Sequence, residues 1–205
     1  MTGIFKKPDI SFPQFQSLLQ SLEGIGLGSC LLHGGALRDS YLGIPEKIND
    51  LDVWADFSPM RKPGETFQEL GQRIKQRLSQ NGVDDVNIAV PSDPPDGHEV
   101  VIITFNYNGH LATVTATGSP VPIENGIRGA DAPINSIVMN SKGEVFCHPD
   151  FEEHARERVY EPFAHVTQEK ARQRFEKLKQ KIPGLVMRRK PDGGTVAKPR
   201  SEPDL

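Results

Sequence analysis

Two aspartates two residues apart, Asp50 and Asp52, are the residues in this chain best placed to do chemistry. Leu51-Asp52-Val53-Trp54-Ala55 alternates apolar and polar residues as a strand with one buried face does, so both carboxylates project from the same side. Like charges held that close repel one another unless water or a divalent cation neutralises them. Mg²⁺ suits the pair, and Mn²⁺ is its substitute: such an ion takes a few carboxylate oxygens and leaves its other positions to water and to phosphate oxygens. Upstream, the run Leu31-Leu32-His33-Gly34-Gly35-Ala36 reads as a strand entering a glycine turn from which a helix starts. Without side chains Gly34 and Gly35 let backbone N–H groups approach a ligand, and the start of a helix favours an anion. Arg38, on that helix, can pair with a phosphate or with an aspartate, and Asp39 lies beside it.

The elements that must hold these residues follow from periodicity. Phe12, Phe15, Leu18, Leu19 and Leu22 share one helical face, with Ser11 as the expected cap and Pro13 in the first turn. Cys30 to Leu32 reads as a buried strand and Ala36 to Leu42 as a short helix ending at Gly43. Phe67, Leu70, Ile74 and Leu78 mark a second long helix. Val86–Val90 reads as a strand; Val100–Phe105 and Leu111–Ala116 flank Asn106-Tyr107-Asn108-Gly109 as a hairpin, and Ile134–Met139 with Val145–Cys147 form another strand pair. Thr167 to Ile182 is a charged helix with Ala171, Phe175, Leu178 and Ile182 as its apolar stripe, stopped by Pro183-Gly184. Strands and helices in this order make an α+β fold, a small mixed sheet with helices packed on it.

At this point the chain resembles the polymerase-beta nucleotidyltransferase superfamily, and within it the head domain of poly(A) polymerases and CCA-adding tRNA nucleotidyltransferases. The resemblance rests on Gly34, Gly35, Arg38, Asp39, Leu42, Gly43, Asp50 and Asp52, and more loosely on Asp131, Ile134 and Asn135 within the run from Arg128 to Ser136. It implies a polymerase-beta-like fold and transfer of a nucleoside monophosphate from an NTP to a hydroxyl, an RNA 3′ end or a small molecule, with release of pyrophosphate. It also implies that Gly34 and Gly35 hold the triphosphate with support from Arg38 and Asp39, that Asp50 and Asp52 ligate the metal, and that Asp131 and Asn135 contact the sugar or order the loop. The family carries a third carboxylate on a later strand. The strand expected to supply it, His110 to Thr117, has threonines and no acid; Thr113 and Thr115 are weak ligands, and Asp96 and Glu99 belong to an earlier loop or strand edge. That gap keeps open a catalytically weak nucleotide- or RNA-binding module, or an interaction protein of a toxin-antitoxin or phage system on the same fold.

Residues 1–160 are thus expected to form a head-like domain, 161–187 a basic helix packed on or extending from it, and 188–205 a disordered tail. The stretch is too short for the helical neck, body and tail of the larger relatives, which suggests the short stand-alone type found in phage and bacterial genomes. From Lys170 to Arg200 eleven Lys or Arg residues face two acids, although the whole chain carries a net charge of −3; such a basic arm suits RNA. No apolar run reaches the roughly 20 residues needed to cross a bilayer, and the first residues lack the apolar core of a signal peptide, so a cytoplasmic protein without a membrane partner is expected. Cys30 and Cys147 are expected to be buried thiols, and Cys147-His148 with His154 matches no zinc spacing. His33 is expected to be a packed residue at a strand end that could also touch a phosphate.

Overall fold

The fold, a computed structural model, is described for residues 5–92 and 99–188. The expected disordered tail therefore lies outside the described residues except for Arg188, and so does Asp96.

The sheet forms where β-rich alternation meets turn chemistry. Strands β1 (Cys30–His33), β2 (Asp50–Asp56), β3 (Asn87–Ala89), β4 (Val100–Tyr107), β5 (His110–Thr117), β6 (Ile137–Asn140) and β7 (Val145–Cys147) assemble in the order β3-β4-β5-β2-β1-β6-β7. β2 and β5 run parallel, and the other neighbouring pairs in this sheet are antiparallel. The β4–β5 hairpin closes through Asn108 and Gly109, both at positive φ (50° and 84°), the two-residue turn whose twist matches that of the strands.

One sheet face is the core. Leu32, Val53, Ala55, Val101, Ile103, Ala112, Val114 and Ala116 are all buried there, each contributing a side chain to the same apolar cluster as Leu18, Leu19 and Leu22 of helix α1 (Pro13–Gly24) and Leu70, Ile74 and Leu78 of helix α3 (Phe67–Gln80). Burying each leucine or isoleucine contributes about 1.5–3 kcal/mol. Helix α3 starts on a capping box in which Thr66 and Glu69 satisfy each other's backbone N–H groups. Helix α1 starts at Pro13 with Phe12, not Ser11, at the cap and no side-chain hydrogen bond there; a proline in first position needs no donor satisfied.

The opposite face carries the polar members of the same strands: Asp50, Asp52 and Trp54 of β2, Thr113 and Thr115 of β5, and His33 of β1. Helix α4 (Ile123–Arg128) covers its β6 end, through Ile127 against Val138 and Phe146. The strand expected from Ile134 begins three residues later, because Pro133–Asn135 forms a 3-10 turn after the extended Ala132. Past α5 (Phe151–Glu157) the chain forms β8 (Val159–Tyr160), α6 (Gln168–Lys181) and β9 (Val186–Met187). β8 and β9 pair in parallel, so the two ends of the α6 segment are clasped together. Ala171, Leu178 and Ile182 place the α6 stripe in the main core, and Phe175 packs toward the Tyr160 ring.

Candidate active site

The β1 strand ends at His33, and Gly34 turns the chain with φ 74° and ψ −126°, a conformation open to glycine and costly for other residues. Its N–H donates to the Ile137 carbonyl at 3.0 Å, and its carbonyl accepts from the Arg38 N–H at 3.1 Å, which fixes the start of α2 (Gly35–Tyr41). The space where a Cβ of Gly34 would stand is empty to 4 Å. That space opens into a cleft of about 260 Å³ lined by His33, Gly34, Gly35, Arg38, Asp50 and Asp52 on the sheet side.

The aspartates sit on β2 as the alternation requires: Asp50 exposed, Asp52 half-buried, Leu51 and Val53 buried on the other side. Burial, and then the charge of Asp50, push the Asp52 carboxyl above the ordinary range, while Lys177 and Arg174 pull it back. The Asp50 charge that adds to the cost of ionising Asp52 is one that a divalent cation would relieve, and two carboxylates on one strand face suit Mg²⁺. Thr113 of β5 stands directly beside Asp52 in the parallel register, with Leu111 beside Asp50 and Thr115 beside Trp54. The strand expected to bring a third carboxylate is therefore where the sequence places it, and it brings a threonine. Glu99 is turned away and pairs with Arg61. Among the described residues no group of three His, Cys, Asp or Glu side chains could share a metal ion.

Arg38 is the centre of a buried polar chain. Its Nε donates to Asp39 Oδ1 at 2.7 Å and its Nη1 to Asn135 Oδ1 at 2.7 Å. Asn135 Nδ2 in turn donates to Asp131 Oδ1 at 2.6 Å, and the Tyr160 hydroxyl donates to Asp131 Oδ2 at 3.0 Å. Arg38, Asp131 and Asn135 all reach the cleft wall; Asp39 does not, being fully buried behind Arg38. Its Oδ1 holds the Arg38 guanidinium. His33 stacks on Trp54 with ring centroids 4.0 Å apart, and burial lowers its pKa to about 4, so it is a neutral packed ring at neutral pH.

The far wall was not legible as part of the site. Helix α6 contributes Lys170, Arg174, Lys177, Leu178 and Lys181 to the cleft, and α4 contributes Gly126. Arg174 Nε lies 3.3 Å from Asp131 Oδ2, and Lys181 Nζ lies 3.6 Å from Asp39 Oδ2, the oxygen that has no hydrogen-bond partner. A Cβ on Gly126 would come within 2.7 Å of Val138 Cγ1 and 3.0 Å of the Trp54 ring, so this glycine lets α4 sit close beside the aspartate strand. Tyr160 was also missed; two residues of strand give no periodicity, and only its late partner Phe175 hints at burial. Cys30 and Cys147 are free, buried thiols whose pKa burial pushes up to about 12.

Solved structures share this architecture. A Thermotoga maritima CCA-adding enzyme complexed with tRNA superposes with a TM-score of 0.57 over 91% of this chain and 43% of that one, at 14% identity. The fold is nucleotidyltransferase-like. A CCA-adding enzyme in complex with CTP gives 0.59, and an apo form 0.55, each at 14% identity over 91% of this chain and 44% of theirs. The chain with this nucleotidyltransferase-like fold thus spans under half the length of those enzymes. No protein-family model matches it, and no curated protein matches it. Among the described residues no helix is long and apolar enough to cross a membrane.

Proposed function

We propose that this chain is a metal-dependent nucleotidyltransferase that moves a nucleoside monophosphate from an NTP to a hydroxyl and releases pyrophosphate. The observation that carries the reading is the meeting of Asp50 and Asp52 with the Gly34-Gly35 bend and Arg38 in one cleft. Residues 1–160 are then the nucleotidyltransferase unit, and residues 161–187 fold back to close its site. The acceptor is an RNA 3′ end or a small hydroxylated molecule, and the enzymes of similar fold were solved with tRNA and with CTP.

Asp50 and Asp52 would hold Mg²⁺ or Mn²⁺. When bound, such an ion lowers the pKa of an attacking hydroxyl and neutralises charge on the leaving oxygens. The chain's own side chains place and screen the reactants. Gly34 leaves room for a phosphate to approach the backbone, Arg38 presents a guanidinium held in one orientation by Asp39 and Asn135, and Asp131 with Asn135 borders the space left for the sugar. In the reaction the acceptor oxygen forms a bond to the α-phosphorus as the bond to the bridging oxygen breaks. The acceptor proton leaves to solvent, and pyrophosphate departs with the bonding pair.

The test is transfer from each of the four labelled NTPs to short RNA and to small hydroxyl acceptors in Mg²⁺ and Mn²⁺, for the native chain and for Asp50→Asn and Asp52→Asn. Loss of an interaction worth about 3 kcal/mol lowers the rate about a hundredfold. Variants as active as the native chain would end the proposal. Thr113 beside Asp52, where a third carboxylate is expected, favours a second reading: a module that binds nucleotide with little turnover. Calorimetric NTP binding without pyrophosphate release would select it.

A further inference from the structure

The cations of α6 follow a spacing of their own. Lys170, Arg174, Lys177 and Lys181 recur at four, three and four residues, one helical row. The apolar stripe Ala171, Phe175, Leu178 and Ile182 runs at the same spacing one position further on. Because that stripe is anchored in the core and the segment's ends are clasped by β8 and β9, the helix cannot roll its cations outward. The row therefore faces the aspartates across the cleft. At about 1.5 Å rise per residue, Lys170 and Lys177 stand about 10 Å apart along the wall.

The charges in the cleft do not cancel. Arg38, Lys170, Arg174, Lys177 and Lys181 line it against Asp50, Asp52 and Asp131. Arg174 and Lys181 are tied down by Asp131 and Asp39, which brace the helix against the polar chain around Arg38. Lys170 and Lys177 have no ion pair within 4.0 Å among the described residues, and both are exposed at the rim. A chain whose overall charge is −3 gathers an excess of cations around its two aspartates. This pattern fits a ligand that is itself a polyanion carrying a divalent cation.

We propose that α6 is the polyphosphate wall of the cleft: Lys170 and Lys177 contact the β- and γ-phosphates of the bound triphosphate, and retain pyrophosphate after transfer. This rests on the reading of the cleft as an NTP site and names which part of the nucleotide the helix recognises. The row serves the phosphates and not a polynucleotide, because its cations line the same cleft as the aspartates and the Gly34-Gly35 bend instead of a surface of their own.

The test uses inorganic tripolyphosphate, which has no base or sugar, titrated calorimetrically into the full chain with and without Mg²⁺. The Lys170→Ala/Lys177→Ala double variant is expected to bind it at least tenfold more weakly. Arg172→Ala removes a charge of the same sign from an α6 residue outside the cleft lining and is expected to stay within twofold, and Lys170→Arg/Lys177→Arg to retain most of the affinity. Thermal melting confirms that each variant is folded. No tripolyphosphate binding, equal weakening by Arg172→Ala, or an unaffected double variant overturns the proposal. So does a double variant that loses binding to single-stranded RNA while keeping tripolyphosphate. Lysine-dependent tripolyphosphate binding without transfer of any NTP would keep the wall and sink the transferase reading; transfer with unchanged KM in the double variant would do the reverse.

Discussion

Asp52→Asn should make the ligand-free protein more stable and abolish the proposed nucleotidyl transfer. The rise of about 3.3 Å per strand residue puts same-face neighbours about 7 Å apart. Two unit charges at that distance repel by about 0.6 kcal/mol in a water-like medium and about 2.4 kcal/mol at an effective dielectric of 20. Asp50 is exposed, and Lys177 and Arg174 already offset part of the burden on Asp52, so the lower end applies: a gain of about 0.5–1 kcal/mol. For a chain of this size that moves the melting temperature by about 1–4 °C. The gain depends on pH in a definite direction. Below the ordinary carboxylate pKa both folded and unfolded Asp52 are protonated and the native chain bears no penalty; as pH rises through the raised folded value the penalty appears, and it is complete above it. Native and variant melting curves should therefore coincide in acid and separate toward neutral pH. Mg²⁺ should reverse the order: at ten times its Kd, a ligand adds about 1.4 kcal/mol to the native chain, and it should add little to the variant. Differential scanning calorimetry across pH, with and without Mg²⁺, measures all of this. A variant that melts lower than the native chain at neutral pH without metal, or gains as much from Mg²⁺, refutes the claim that the two carboxylates stand side by side at a cation site.

Thr113→Asp places a carboxylate beside Asp52 in the parallel register; it should tighten Mg²⁺ binding and lower ligand-free stability by about 1 kcal/mol, and unchanged metal affinity by calorimetry would show that β5 does not reach the site. Gly126→Ala should cost about 1–3 kcal/mol in urea unfolding, because its Cβ would collide with Val138 and Trp54, and a neutral result would mean that α4 can back away. His33 has a folded pKa of about 4 against an ordinary 6.5, so the native chain should lose stability as pH falls from about 6.5 to 4; His33→Phe should flatten that slope in melting curves, and an unaltered slope would place the acid sensitivity elsewhere.

Those parts of the fold whose local pattern and tertiary role agree were legible in the sequence. The alternation around Asp52 predicts the β2 face, and the Asn108-Gly109 turn predicts the β4–β5 hairpin, because strand period and turn chemistry are local. What was not legible depended on distant partners. The 3-10 turn at Pro133–Asn135 stands where a strand was expected, because Asn135 bridges Arg38 and Asp131, residues separated by most of the sheet in sequence. Helix α4, only six residues long with Gly126 inside it, has no periodicity to read; that glycine makes sense only once Trp54 and Val138 lie beneath it. Likewise the basic helix read as an arm suited to RNA; the offset between its cation row and its apolar stripe was visible, but not what that row would face.

The cleft holds two sets of charges, and each is costly without the other's ligand. The aspartates crowd negative charge on one strand face, and the α6 row crowds positive charge opposite them, with Asp131 and Asp39 binding the middle and the end of the row to the Arg38 chain. A free divalent cation relieves the first set while adding to the charge opposite the second; a free polyanion does the converse. A cation carried on a polyphosphate would satisfy both at once, as the proposed site requires. The same pairing explains why the helix is clasped at both ends by β8 and β9. A row of lysines on a loose arm would collapse onto the aspartates and neutralise the site, whereas a helix fixed by its apolar stripe holds the two charged walls apart and ready for a ligand that bridges them.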